Sequence, residues 1–437
     1  MRKNYQNEEI DTSQAAVPEQ VNVALAELAG EMREGLLALA VGTGLQVMAA
    51  IMEADVTAVC GPKGRHDPER TAVRHGHGGG SVTLGGRRIP VERPRMRAID
   101  GSGELPVASY ELFSDTELFS DTEILGRMAL DRMLAGLSTR RYPAALEPIG
   151  ARTEQAATTT SRSAVSRRFV AQTQTALAEL LAADLSALDL VAFMVDGVHF
   201  GEHTCVVALG IDIDGTKHPL SLVEGSTENA TLVTELIVGL RERGLDVTRP
   251  ILAVLDGSKA LRRAVLEVFD RPVIGRCPLH KIRNVEDHLP EKLRTTVASR
   301  MRRAYHADSA LAAEAELGAL AAELDRTHPG AAASLREGMA ETLTVLRLNV
   351  PPTLARTLRS TNAVESMISI CREHASNVKN WRDGQMALRW CAAGMVEAGK
   401  QFHRVNGHLH LRSLRDTLQK VTETAGPTVH HEAVTAA

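Results

Sequence analysis

The stretch from Pro250 to His280, PILAVLDGSKALRRAVLEVFDRPVIGRCPLH, constrains the fold more than any other part of the chain. Its apolar run Ile251, Leu252, Ala253, Val254, Leu255 is short and stops abruptly at Asp256 and Gly257. That pattern predicts a buried strand that delivers a carboxylate to its C-terminal edge. Leu261, Val265, Leu266 and Phe269 then recur at helical spacing, and Pro272 to Gly275 opens a second short strand ending at Cys277 and His280. Strand, helix, strand is the unit of a sheet covered by helices.

A second carboxylate stands upstream in the same setting. Leu188 to Asp196, LDLVAFMVD, reads as an apolar strand with Asp196 at its end and Gly197 after it. The chain continues through Thr204 to Ile213, turns at Asp214 and Gly215, and returns from His218 to Val223, which predicts a three-stranded antiparallel meander. A helix from about Thr227 to Arg243 carries the chain back to Ile251. Three antiparallel strands, a helix, a strand, a helix and a strand follow the order of an α/β RNase H-like core. In that order the strands bearing Asp196 and Asp256 are neighbours.

Two carboxylates bind Mg²⁺ poorly, and Glu365, in the first turn of a helix in STNAVESM, is the third candidate. Each acid also has a structural reading. Asp-Gly pairs are turn signals, and Asn362 followed three residues later by Glu365 has the form of a capping box. Order and spacing favour the joint reading: 60 residues separate Asp196 from Asp256, 21 separate Asp256 from Cys277, and 109 separate Asp256 from Glu365.

On MVDGVHF, LDGSKAL, CPLH and STNAVESM, in that order and over about residues 30 to 415, the sequence resembles the Mutator-type transposases of bacterial insertion sequences. The resemblance implies an Asp-Asp-Glu triad of Asp196, Asp256 and Glu365 as catalytic residues and metal ligands. It implies two Mg²⁺ (or Mn²⁺) ions, Asp196 bridging both while Asp256 and Glu365 hold one each, as in-line phosphodiester chemistry by two metals requires. Water would first free a 3′-hydroxyl at the transposon end, and that hydroxyl would attack a second phosphodiester. The implied partners are the inverted-repeat ends of the element and target DNA, bound by a homodimer or larger assembly. Arg372, two helical turns past Glu365 and on its face, would hold a DNA phosphate. A metal-dependent nuclease without strand transfer and a non-catalytic DNA-binding repressor are the alternatives.

Cys277 and His280 invite a zinc reading, but Cys-x-x-His supplies two ligands where a structural site needs four. A helix start supporting the active site is the preferred role.

A net charge of −4 sits badly with DNA binding until its distribution is read. Residues 1 to 60 are acidic. Between Lys63 and Arg97, nine basic residues face Asp67, Glu69 and Glu92, a basic surface suited to phosphates. Five scattered cysteines and no recognisable signal peptide point to the cytoplasm, with the protein on the nucleoid when DNA-bound.

The remaining organisation is read in order. Residues 1–20 are expected to be a disordered tail and 21–60 a helical dimerisation region, whose uncharged run Gly35 to Met52 raises a membrane span. Gly42, Thr43, Gly44 and Gln46 interrupt that run, so a packing helix with no membrane is preferred. Residues 61–121 form a basic β-hairpin region, with the hairpin over Ser81 to Pro94 around Gly85 and Gly86 and a tandem ELFSDT at its end. Residues 122–185 read as a helix-turn-helix, with helices from Glu123 to Ala135, from Ser138 to Pro148 and from about Thr160. The third buries Val165, Phe169, Thr173, Ala176 and Leu180 and leaves Arg162, Ser163, Ser166, Arg167 and Arg168 for DNA.

Residues 186–284 are the first part of the core. An all-α insertion at 285–358 follows, with helices over Leu289 to Ala304, Ser309 to Asp325 and Ala331 to Leu346 and a basic face of Arg294, Arg300, Arg302 and Arg303. Residues 359–418 complete the core with C-terminal helices, and 419–437 form a loose tail.

Overall fold

The computed structural model describes residues 35–65, 67–84, 87–114, 122–142, 146, 149–159, 161–225 and 229–425. They fall into two compact units, the first holding residues up to Ala129 and Ser138–Phe169, the second Leu130–Leu137 and Val170 onward.

In the first unit, helix α1 (Leu36–Cys60) precedes a long hairpin, β1 (Ala72–Leu84) and β2 (Arg87–Ala98). The strands pair antiparallel from Ala72↔Ala98 to Leu84↔Arg87, so the hairpin starts nine residues earlier than the Gly and Pro pattern predicts. The glycine-rich run up to Gly80 is strand because its backbone pairs along almost its whole length, which outweighs weak intrinsic propensity. Gly85 and Gly86 lie outside the described residues. Strand β3 (Glu104–Leu105) follows, then helices α2 (Ala108–Ser114), α3 (Thr122–Leu134) and α4 (Ala151–Ala156), and strand β4 (Thr158–Thr159), which pairs with β2.

Helix α1 is long and apolar enough to cross a membrane. One face is accounted for by packing, since Met48, Met52, Val56 and Cys60 share a core cluster with Val82, Ile89 and Met96 of the hairpin. Arg74 of β1 fastens the same helix through Glu53 at 2.5 Å and Thr57 at 2.9 Å. The basic stretch is therefore less available than its composition suggests. Arg74, Arg87, Arg93 and Arg95 all pair with carboxylates, of Glu53, Glu154, Glu104 and Glu104 respectively.

The α-helix expected from Ser138 to Pro148 is absent at the described positions, where 138–141 are irregular or turn and Tyr142 is 3₁₀. Pro143 and Pro148 fall inside that stretch, and proline disfavours helix at the residue before it. Helix α5 (Arg162–Ala182) is formed as expected and buries Val165, Phe169 and Thr173. It crosses the unit boundary, with 162–169 in the first unit and the rest in the second.

The second unit is built on a five-stranded mixed sheet. Its strands are β5 (Leu190–Phe200), β6 (His203–Asp212), β7 (Lys217–Gly225), β8 (Ile251–Leu255) and β9 (Pro272–Arg276), in the order β7-β6-β5-β8-β9. The first three are antiparallel neighbours, and β5, β8 and β9 run parallel. Helices α6 (Ala230–Glu242), capped by Asn229, and α7 (Lys259–Val268), capped by Ser258, cover one face. Val233, Leu236, Leu240, Leu261 and Val265 pack there on Phe193, Val195, Val206, Ala253 and Leu255. Phe193 and Phe269 meet at 5.3 Å between ring centroids.

After β9 the chain is helical: α8 (Pro278–Glu286), α9 (Glu291–Ala304), α10 (Ala310–Asp325), α11 (Pro329–Arg336), α12 (Met339–Thr342), α13 (Thr344–Arg347) and α14 (Pro352–Leu358). The single helix expected over Ala331 to Leu346 is broken into three, first at Gly338, which takes a left-handed φ of 66°, and again at Leu343. The expected basic face is partly neutralised, Arg300 pairing with Glu323 at 2.5 Å and Arg303 with Glu316 at 3.5 Å. Helices α15 (Asn362–His374), α16 (Gly384–Gln401) and α17 (Leu411–Ala425) complete the chain. The last reaches Ala425, seven residues into the stretch expected to be loose, because Leu411, Leu414 and Leu418 anchor it in the core. Residues 1–34 and 426–437 are outside the described residues.

Candidate active site

Sheet alternation fixes where the two aspartates stand. Phe193, Val195, Ala253 and Leu255 face helices α6 and α7, so Met194, Asp196 and Val254 face the other way. Asp196 is not at a strand end, as expected, but in mid-strand, because β5 continues to Phe200 on its pairing with β6. The parallel partner β8 stops at Leu255, so its pairing with β5 ends at Met194 and Val254, before Asp196.

The β5–β8 register pairs Ala192 with Leu252, Phe193 with Ala253 and Met194 with Val254. Asp196 and Asp256 each follow the last paired residues, Met194 and Val254, by two positions. Both carboxylates are partly exposed. Asp196 accepts a hydrogen bond from the Gly197 N–H at 2.8 Å, and Asp256 accepts one from the Ser258 N–H at 2.7 Å. The second bond closes the turn into α7, so the structural role that sequence allows Asp256 is also present.

Helices α15 and α16 cover the aspartate face. The first packs on β5 and β6 and the second on β6 and β7, and Cys371 Sγ of α15 donates to the Cys391 carbonyl of α16 at 3.6 Å. Glu365 lies in the first turn of α15, but the capping box does not form. The N-cap is Thr361, not Asn362, and Thr361 Oγ1 donates to Glu365 Oε1 at 2.6 Å. The carboxylate is therefore turned back onto the side chain of the N-cap residue.

Cys277 and His280 join Glu365. The Sγ, ring nitrogen and carboxylate oxygen all lie within 4.8 Å of one another, and His280 Nδ1 is 3.8 Å from Glu365 Oε1. Cys277 is the N-cap of α8, matching the expected helix-start position, and its N–H bonds Leu255 O at 2.8 Å. Burial pushes its thiol up, but hydrogen bonds from His280 and Thr361 outweigh burial and leave it below the usual thiol value. The same bond to Cys277 raises the His280 imidazole against burial, helped by the negative charges of Cys277, Glu365 and Asp196. His280 is thus the group on which the charges of Glu365 and Asp196 both act.

Two residues that sequence reasoning missed support this corner. Thr361 is fully buried, and its signal was a threonine at the end of a helix entry where Asn362 drew attention instead. Arg276 is 7% exposed; its Nη2 donates to Gly257 O at 3.1 Å and its Nη1 pairs with Glu337 at 2.7 Å. Lys281, 1% exposed, shares Glu337 at 2.8 Å. The turn after Asp256 is tied in this way to the helices following β9.

The DNA-contact candidates fall on two helices. Arg162, Ser163, Ser166, Arg167 and Arg168 lie in the part of α5 that belongs to the first unit, with Arg162, Ser163 and Arg167 exposed. Arg372 is exposed in the last turn of α15. Beside Ser360, a cleft of about 290 Å³ is lined by Arg302, Arg356 and Arg359 together with apolar residues of α8. Trp381 packs on Phe200 at 4.9 Å and Trp390 at 6.3 Å.

Comparison with known sequences decides the family. The model of the Mutator family of transposases matches residues 33–405. The chain belongs to the Mutator family of transposases. Among its relatives, the transposase for insertion sequence element ISRM5 of Rhizobium meliloti is 26% identical over 374 residues, covering 85% of this chain and 90% of the relative. The transposase for insertion sequence element IS6120 of Mycolicibacterium smegmatis is 30% identical over 238 residues, 49% of this chain and 72% of that one. A probable insertion-sequence transposase of Corynebacterium diphtheriae is 29% identical over 195 residues, 44% of this chain and 56% of its own. Family membership makes this Mutator-family chain a DNA-processing transposase, and the matched span takes in Asp196, Asp256, Cys277, His280 and Glu365.

Proposed function

We propose that the protein cuts the ends of its own insertion sequence and joins them to target DNA, with Asp196, Asp256 and Glu365 as the catalytic, metal-holding triad of an RNase H-like core. The observation that carries this reading is the parallel pairing of β5 with β8, which ends two residues before Asp196 and Asp256, on a sheet packed by the helix that bears Glu365. The strand order β7-β6-β5-β8-β9 supports the core assignment.

Three partly exposed carboxylates are hard oxygen donors of the kind Mg²⁺ or Mn²⁺ takes. Two such ions, when bound, supply activation of the attacking oxygen and stabilisation of the leaving one. The chain's own residues orient the ligands. Thr361 fixes the Glu365 carboxylate, the Ser258 N–H and the Arg276 contact to Gly257 fix the Asp256 turn, and Gly197 N–H fixes Asp196. Inverted-repeat and target DNA would lie along Arg162, Arg167, Arg168 and Arg372, and the cleft of Arg302, Arg356 and Arg359 offers further phosphate contacts. The exposed apolar residues Leu36, Leu37, Val47 and Ile51 of α1 support a homodimer. The cytoplasm, on the nucleoid, is the compartment such a reaction requires.

The test is joining of pre-cut element ends to a plasmid by the purified full chain in Mg²⁺. Asp196→Asn, Asp256→Asn and Glu365→Gln should each abolish joining while end binding persists. Cutting without joining in the parent protein would favour a nuclease, and binding alone a repressor.

A further inference from the structure

We infer that Cys277, His280 and Glu365 form a binding site for one borderline-soft divalent cation, Zn²⁺, distinct in its donor set from the carboxylate triad. Cys-x-x-His alone has two ligands; folding supplies the third from 85 residues further along the chain. Sγ, imidazole nitrogen and carboxylate oxygen lie within 4.8 Å of one another, and the His280–Glu365 pair is at 3.8 Å. Zinc bonds of about 2.0–2.3 Å place two ligands of one tetrahedral ion roughly 3.3–3.7 Å apart. The His280–Glu365 pair, at 3.8 Å, is already close to that spacing, and Sγ lies within 4.8 Å of both.

The surroundings suit such an ion. Cys277 is buried in the turn that leaves β9, with its backbone fixed on Leu255, so its sulfur is presented from a rigid base. His280 and Glu365 keep 25% and 32% of their side chains exposed, which leaves solvent on one side. Three protein ligands with one position open to water is a standard zinc arrangement. Mg²⁺ avoids thiolate and prefers oxygen, so the two cations would divide between the two donor sets by softness. Glu365 is common to both. Zinc bound here would take that carboxylate from the magnesium set and inhibit joining, and this consequence, unlike the site itself, rests on the function proposed above.

The experiment uses Co²⁺ as a spectroscopic substitute on the reduced full-length chain. One equivalent should produce a thiolate-to-cobalt charge-transfer band, displaced by Zn²⁺. Cys277→Ser should abolish the band, and His280→Ala and Glu365→Gln should each weaken cobalt binding tenfold or more, while Asp256→Asn leaves it unchanged. Circular dichroism checks that each variant is folded, and His280→Gln serves if His280→Ala is not. No band in the parent protein, a band that survives Cys277→Ser, or one indifferent to Glu365→Gln overturns the site. A normal cobalt band in a protein that never joins DNA would count against the catalytic reading alone.

Discussion

Thr361 donates its hydroxyl proton to Glu365 across 2.6 Å, from a position with no solvent exposure. The bond fixes one carboxylate oxygen and leaves the other for a ligand. Thr361→Val keeps the shape and removes the donor. Joining should fall about 10–100-fold, the usual cost of losing an outer partner of a metal ligand, with Thr361→Ser recovering most of it. Half-saturation by Mg²⁺ should rise in the valine variant, which a merely structural role would not change.

Gly257 follows Asp256 with φ 112°, and an added Cβ would strike the guanidinium of Arg276. Gly257→Ala should therefore cost about 1–3 kcal/mol from backbone strain, with more from displacing Arg276, and should depress joining as Asp256 moves. Gly275→Ala is the control. Its methyl would meet Leu252 at an ordinary 3.5 Å, and thermal unfolding should shift little.

Glu337 is held down to about 2 by Arg276 first and Lys281 second. A carboxyl lowered in the folded state stabilises fully above its unfolded value near 4.5 and loses that contribution as pH falls toward 2. Urea unfolding of Glu337→Gln should show lower stability than the parent at pH 7 and a difference that shrinks as pH falls from about 5 toward 2. At neutral pH the loss should be about 2 kcal/mol, since Lys281 retains the Ser334 carbonyl and Glu337 is half-exposed.

Arg162, Arg167 and Arg168 are expected to touch phosphates. Replacing each by Gln should weaken binding to all DNA sequences alike and lower the salt dependence of binding by about one ion per arginine. Ser163→Ala and Ser166→Ala should instead alter discrimination between element ends and random DNA. Filter binding at several salt concentrations separates the two outcomes.

The sheet was legible because its strands are apolar runs cut off by Asp-Gly, and the β8–α7–β9 unit lies within a few residues of its predicted bounds. Glu365 was legible as a first-turn acid, but its actual partner was not. Thr361 and Asn362 are both plausible caps by residue type, and only the packing that buries Thr361 decides between them. The basic segment misled for a related reason. Charge can be counted along the chain, but the partners of Arg74 and Arg87 lie 21 and 67 residues away and become visible only on folding. The second helix of the expected helix-turn-helix spans Pro143, and proline disfavours helix at the residue before it; no α-helix forms at the described positions 138–142.

Asp196, Asp256 and Glu365 are proposed to hold a pair of divalent ions together. Anomalous diffraction from crystals of the full chain with element-end DNA and Mn²⁺ tests it most directly. Two manganese peaks about 3.5–4 Å apart are expected, with Asp196 between them and Asp256 and Glu365 on either side. Peaks that leave Asp196 or Asp256 uncoordinated, at saturating Mn²⁺ with DNA bound, would contradict it.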